Sequence, residues 1–142
     1  METKVYNLGK FRNEELKFAV IVAKFNKEFV YVKHKERSTW EIPGGHREMD
    51  EVIDDTAKRE LSEETGATRF NIEAVCDYSV EKVGCEINYG RVYYAEIEEL
   101  GKLPDLEIGE VKLFDSMPEN LTYPEIQPLL FKMVQENLRG QR

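Results

Sequence analysis

Apolar positions along this chain follow two different rhythms. The stretch "LKFAVIVAKF" (residues 16–25) is almost continuously apolar and rich in β-branched and aromatic residues, as a strand buried on both faces would be. The polar pair Asn26-Lys27 follows, and "EFVYVKHK" (28–35) then alternates, so the two segments predict a hairpin. A polar loop, "KERST", leads into "WEIP" (40–43), read as a short strand ended by Pro43 and a Gly44-Gly45 turn. Further on, "FNIEAVCDYSVE" (70–81) and "CEINYGRVYYAEI" (85–97) predict two strands joined around Gly84, and "EVKLFD" (110–115) a shorter one.

The second rhythm is helical. Ile53, Ala57 and Leu61 recur every four residues, with Asp50 as the expected N-cap and Gly66 as a left-handed stop after about Thr65. Glu51, Asp54 and Asp55 suit the positive end of this helix's dipole. A final helix is expected in "EIQPLLFKMVQENLR", where Ile126, Leu129, Leu130, Met133 and Val134 share a face and Pro128 fits the first turn. No linker, repeat or low-complexity tract interrupts the order, so one domain is expected over residues 1–142. Helices on both faces of a mixed sheet would bury every apolar face, which predicts an α/β/α sandwich.

The first helix carries an anomaly. Glu60 and Glu64 fall on or beside the line of Ile53, Ala57 and Leu61, and Glu63 adjoins them. Glutamates on a helix are usually solvated, but these converge where the core should continue. Like charges about 4 Å apart repel by roughly 4 kcal/mol near a protein surface. Arg59, four residues before Glu63, can neutralise only part of that charge. A hard divalent cation, which prefers oxygen ligands, can neutralise the rest.

Composition narrows the partners. A net charge of −8 argues against binding to nucleic acid, which needs Lys and Arg against phosphates. It also means that a phosphorylated ligand needs a bridging cation or local basic groups. Cys76 and Cys85 lack zinc-ligand spacing, and reduced thiols in a cytoplasmic protein are expected. The start "METKVYNLGK" shows no secretory pattern, and the run "FAVIVA" is too short to span a bilayer, so no membrane partner is expected.

Gly45, Glu51, Arg59-Glu60-Leu61, Glu63-Glu64 and Gly66 stand at the spacing of the Nudix box, and the chain resembles the Nudix hydrolases in that segment. One departure is Ala67, where the pattern usually has Ile, Leu or Val. The preceding "WEIPGG" is also similar to the family. The resemblance implies a loop–helix–loop that holds Mg²⁺ or Mn²⁺ over a diphosphate. Carried over residue by residue, Glu60, Glu63 and Glu64 are cation ligands, one of them activating water, and Gly45 is a carbonyl ligand or turn residue. Glu51 is a supporting acid that pairs with Arg59, and Arg59 orients the carboxylates. The family often adds an acid from outside the box, for which Glu107 is the first candidate and Glu110 the second. Lys33, Lys35 and Arg37 are candidates for phosphate contacts, Trp40 and Tyr123 for either core packing or base stacking, and His34 and His46 are read as bystanders.

The implied reaction is cation-dependent hydrolysis of a phosphoanhydride in a nucleoside diphosphate-X. Small size favours a nucleoside triphosphate, including oxidised purines such as 8-oxo-dGTP, cleaved to monophosphate and pyrophosphate. ADP-ribose or nucleotide-sugar hydrolysis, a non-catalytic nucleotide-binding module and a prenyl diphosphate isomerase are the alternatives. Several family members dimerise, which leaves a homodimer open.

Overall fold

The apolar run from Leu16 becomes the centre of the sheet. The computed structural model describes residues 1–140, so Gln141 and Arg142 of the expected domain lie outside the described residues. Its strands are β1 (Glu2–Asn7), β2 (Leu16–Phe25), β3 (Glu28–His34), β4 (Gly44–His46), β5 (Ala67–Glu81), β6 (Asn88–Leu100) and β7 (Ile108–Phe114). They form one mixed sheet in the order β1-β5-β6-β2-β3-β7, with β4 paired to β2. β2 runs parallel to β6, and the other pairings are antiparallel.

Alternation along the strands sorts side chains into two layers. Ala19, Ile21 and Ala23 of β2 pack with Tyr93, Ala95 and Ile97 of β6 on one face. Val22 packs with Val92 and Tyr94 on the other. The first face is covered by α1 (Ile53–Thr65) through Ile53, Ala57 and Leu61, and the second by α2 (Gln127–Gly140) through Leu130, Phe131 and Val134. Fully burying a leucine such as Leu61 or Leu130 stabilises by roughly 2 kcal/mol, so a few such residues hold each helix down. This is the α/β/α sandwich that the sequence predicts.

Asn26 and Lys27 both take positive φ, 50° and 73°, and close the β2–β3 hairpin with the handedness that strand twist favours. The two strands pair only beside this turn, Lys24 opposite Phe29 and Phe25 opposite Glu28, and then diverge. The segment expected as a strand ending in a glycine turn fills the gap instead. Val32 and Glu41 exchange both backbone hydrogen bonds, the Ile21 N–H donates to the Pro43 carbonyl, and Gly44–His46 is itself a strand against residues 18–20. A side chain on Gly44 would run into the Ala19 carbonyl at 2.4 Å, so glycine is what allows this approach.

Two other expectations are corrected, and one strand appears that the sequence did not predict. Asp50 is not the helix cap: it takes φ 63°, Val52 occupies the cap position, and Asn13 Oδ1 accepts the Ile53 N–H at 2.8 Å from a distant turn. On α2, Leu129 turns outward and Phe131 inward, giving the buried set Gln127, Leu130, Phe131 and Val134. β1 has no counterpart in the sequence reading, because its six residues are mostly polar and it is an edge strand. Gly66 ends α1 with φ 80° as expected, and both cysteines are free, Cys76 buried and Cys85 exposed.

Candidate active site

Where β2 and β3 part, a cleft of about 660 Å³ opens between the start of β4, the second half of α1 and the N-terminal end of α2. The helical repeat delivers Glu60, Glu63 and Glu64 to its wall. Arg59 organises them. Its Nη1 donates to Glu60 at 2.7 Å and to Glu63 at 3.4 Å, its Nε and Nη2 grip both oxygens of Glu51 at 2.8 and 2.9 Å, and Nη2 also reaches the His46 carbonyl at 3.1 Å. Glu51 accepts further bonds from the Thr56 hydroxyl and the Glu48 N–H. These donors, the Arg59 fork first, pull the Glu51 carboxyl down to about 2. Glu51 therefore anchors the loop before α1 and does not line the cleft.

Glu60 and Glu64 are held differently. A Cβ on Gly45 would lie 2.4 Å from the Glu60 carboxyl carbon, so the absent side chain makes room for that carboxylate beside β4. Burial pushes the Glu60 carboxyl up, partly opposed by Arg59. Glu64 lies deeper, with one oxygen accepting the Gly44 N–H at 2.8 Å. Desolvation raises it to about 8 despite that bond, and the neighbouring carboxylates Glu60, Glu41 and Glu107 add to the rise. A buried carboxylate in this state calls for a positive partner.

The cleft gathers some of the other expected residues and not the rest. Glu107 and Arg37 line it, whereas Glu110 pairs with Lys33 on the outside at 3.1 Å. Lys33 and Lys35 are not in its lining: Lys33 also sits over the Trp40 ring, and Lys35 pairs with Asp105. Strand alternation explains Lys33, which shares the Phe29 and Tyr31 face. Trp40 packs edge-on against Phe114, so of its two readings core packing holds, while Tyr123 lines the cleft.

Neither histidine stands aside. His46 packs at a tilt against Phe18 in the cleft wall, and His34 stands among carboxylates, Nε2 3.5 Å from Glu41 and 3.8 Å from Glu64, Nδ1 3.9 Å from Glu107. Alternation from Val30 through Val32 to His34 is the signal that would have turned His34 toward α1. Gln127 also lines the cleft, and its Oε1 accepts the Ile42 N–H at 2.9 Å. That bond leaves the amide N–H groups to face the cleft.

The donors fit a divalent cation. Glu60, Glu63, Glu64 and Glu107 all line the cleft, one donor atom each of His34, Glu64 and Glu107 lies within 4.8 Å of the others, and among the described residues the second oxygen of the buried Glu64 receives no hydrogen bond. The lining carries Glu41, Glu48, Glu60, Glu63, Glu64 and Glu107 against Arg37, Arg59 and Lys82, an excess of negative charge that a cation would offset.

Comparison with known proteins places the family and the fold. A family model described as NUDIX domain matches residues 15–115. A Bacillus subtilis (strain 168) protein named "Putative 8-oxo-dGTP diphosphatase YtkD" is 34% identical over 106 residues, which cover 72% of this chain and 64% of that protein, so the chain spans under two thirds of this relative. The structure of the Bacillus subtilis pyrophosphohydrolase BsRppH, a point variant, superposes with a TM-score of 0.78 at 25% identity, covering 95% of this chain and 90% of the other. The NUDIX domain of Shewanella oneidensis NrtR, complexed with ADP ribose, gives 0.69 at 19% identity and 94% of both chains, which speaks to the fold alone. With Gly45, Arg59, Glu60, Glu63 and Glu64 of the box lining one cleft and the family match spanning most of its length, the chain belongs to the Nudix hydrolase family.

Proposed function

We propose that the protein is a nucleotide pyrophosphohydrolase that uses a divalent cation, Mg²⁺ or Mn²⁺, to cleave a nucleoside triphosphate into monophosphate and pyrophosphate. The observation that carries this reading is the buried Glu64 carboxylate, half unpartnered, beside Glu60 and Glu63 in the cleft. Glu60, Glu63, Glu64 and Glu107 hold the cation, with Gly45 giving Glu60 its room. When bound, the cation supplies the positive charge that lets a nucleophile approach a polyanionic phosphate.

The chain's own groups do the rest. Arg59 fixes Glu60 and Glu63 so that little reorganisation is needed on binding. Glu63 has the loosest tie of the three carboxylates and the most exposed side chain, so it takes the proton from the attacking water. That water's oxygen bonds to phosphorus as the anhydride P–O bond breaks, and pyrophosphate leaves. Arg37 and Lys82 bind outlying phosphate oxygens at the cleft wall. At the other end, Tyr123, Phe18, His46 and Gln127 surround the base.

The relative named for 8-oxo-dGTP supports an oxidised purine as the preferred base. We place the reaction in the cytoplasm, where both free thiols stay reduced. Among the described residues no helix is long and apolar enough to cross a membrane.

A panel of GTP, dGTP, 8-oxo-dGTP, ADP-ribose and UDP-sugars, assayed by chromatography with Mg²⁺ or Mn²⁺, tests the reading. It predicts pyrophosphate release from a triphosphate, abolished by EDTA and cut by orders of magnitude in Glu63→Gln. Hydrolysis that survives EDTA, or none on any member, overturns it.

A further inference from the structure

The His34 ring is unusual in where it stands. It ends β3 on the face turned toward α1 and inserts among carboxylates, yet it makes hydrogen bonds to none of them: its contacts to Glu41, Glu64 and Glu107 are 3.5, 3.8 and 3.9 Å. Those separations are too long for hydrogen bonds. They also run from different ring nitrogens, Nε2 to Glu41 and Glu64 and Nδ1 to Glu107, and only one nitrogen can ligate a given ion, so a shared site rests on the spacing of one donor per residue. One donor atom from each of His34, Glu64 and Glu107 lies within 4.8 Å of the other two.

A second observation points to the same place. Glu64 is 5% exposed, and its oxygen on the His34 side receives no hydrogen bond among the described residues, while the other oxygen is fixed by the Gly44 N–H. The half-partnered Glu64 carboxylate and the imidazole thus lie beside the same position. Glu107 closes that position from the solvent side, its side chain 81% exposed.

Resting on the reading of the cleft as a cation site, we propose that His34 supplies a nitrogen ligand to a cation shared with Glu64 and Glu107, biasing this position toward Mn²⁺ or Co²⁺ over Mg²⁺. An all-oxygen cage suits Mg²⁺, whereas an imidazole nitrogen adds more affinity for the first-row transition ions than for Mg²⁺, and more for Co²⁺ than for Mn²⁺. Because Glu107 is exposed and Glu64 is buried, His34 and Glu64 form the enclosed half of the site. His34 stands four residues before the start of the "STWEIPGG" stretch and outside the box, so the box residues alone would not report this preference.

The test uses the full chain after chelator treatment, with the metals alone as probes. Mn²⁺ affinity is read from the free-ion electron paramagnetic signal, Co²⁺ from its visible absorption, and Mg²⁺ by competition against Mn²⁺. His34→Gln is expected to weaken Mn²⁺ and Co²⁺ by about tenfold or more and Mg²⁺ by less than about threefold. Spin-echo spectra of the Mn²⁺-loaded wild-type protein, which need no variant, are expected to show nuclear modulation from a coordinated imidazole nitrogen.

Absence of that modulation, or an equal effect of His34→Gln on all three ions, overturns the assignment. Failure of the underlying function reading looks different. If Glu60→Gln also leaves every affinity unchanged, the cleft is not the cation site at all. If Glu60→Gln lowers them and His34→Gln does not, only the histidine ligand is lost.

Discussion

Replacing Glu64 by glutamine should stabilise the cation-free protein, the opposite of what altering a buried polar contact usually does. Burial holds this carboxyl at about 8 in the folded state against an ordinary 4.5. A raised carboxyl means that the folded protein prefers the protonated form, so its contribution to stability is complete below 4.5 and is lost as pH rises through about 8. The gap corresponds to a ceiling of about 5 kcal/mol. Water entering the open cleft lowers the expected loss to on the order of 1–3 kcal/mol. Glutamine keeps an oxygen for the Gly44 N–H and never charges.

Urea unfolding of both proteins in EDTA at about pH 5 and about pH 8 measures this directly. The variant should match the wild type at the lower pH and exceed it at the higher. Saturating Mg²⁺ or Mn²⁺ should reverse that order, because a ligand at a hundredfold its Kd adds about 2.7 kcal/mol to a protein that binds it. An equal pH slope in the two proteins, or a variant weaker at both pH values, would refute the reasoning.

Other consequences follow from the same geometry. Gly45→Ala puts a methyl group into the Glu60 carboxylate, so turnover should fall by about a hundredfold or more for a stability cost of roughly 1–3 kcal/mol, read from kcat alongside urea midpoints. Arg59→Lys cannot reproduce the fork on Glu51, so it should cut activity and also move the acid unfolding midpoint upward, since the depressed Glu51 carboxyl stabilises above 4.5 and loses that effect as pH falls through about 2. Acid titration followed by circular dichroism checks the second part. Gln127→Glu keeps the acceptor for the Ile42 N–H but removes the donors facing the cleft, so KM ratios between bases should change by about tenfold with kcat on the poorer base little altered.

What the sequence made legible was whatever side-chain periodicity records. β2, β5, β6 and both helices carry apolar rhythms that survive in the fold because each packs against a layer. The box carboxylates were readable for the converse reason: charge on an apolar stripe has few explanations. β1 and β4 were not readable. The first is a polar edge strand, and the second is two glycines and a histidine whose pairing depends on close backbone approach, which leaves no hydrophobic pattern. The helix cap was hidden because Asn13 supplies it from a distant turn, while Asp50 is drawn into a left-handed loop conformation.

Lys33 of β3 and Lys35 just beyond it misled for a different reason. Position beside the box says nothing about which face of a strand a residue occupies, and alternation puts Lys33 on the side of Trp40 and His34 in the cleft. Gln127 carried no signal in the sequence beyond its place in the last helix's segment; its role as a partner of the Ile42 backbone is a tertiary fact.

The central claim is that the cluster of α1 carboxylates exists to hold a divalent cation at the cleft. Anomalous diffraction from crystals soaked in Mn²⁺ tests it most directly. The account predicts a peak within bonding distance, about 2.2 Å, of oxygens from Glu60 or Glu64, beside the Gly45 backbone. Manganese bound elsewhere, with the three carboxylates left to Arg59 and solvent, would contradict it.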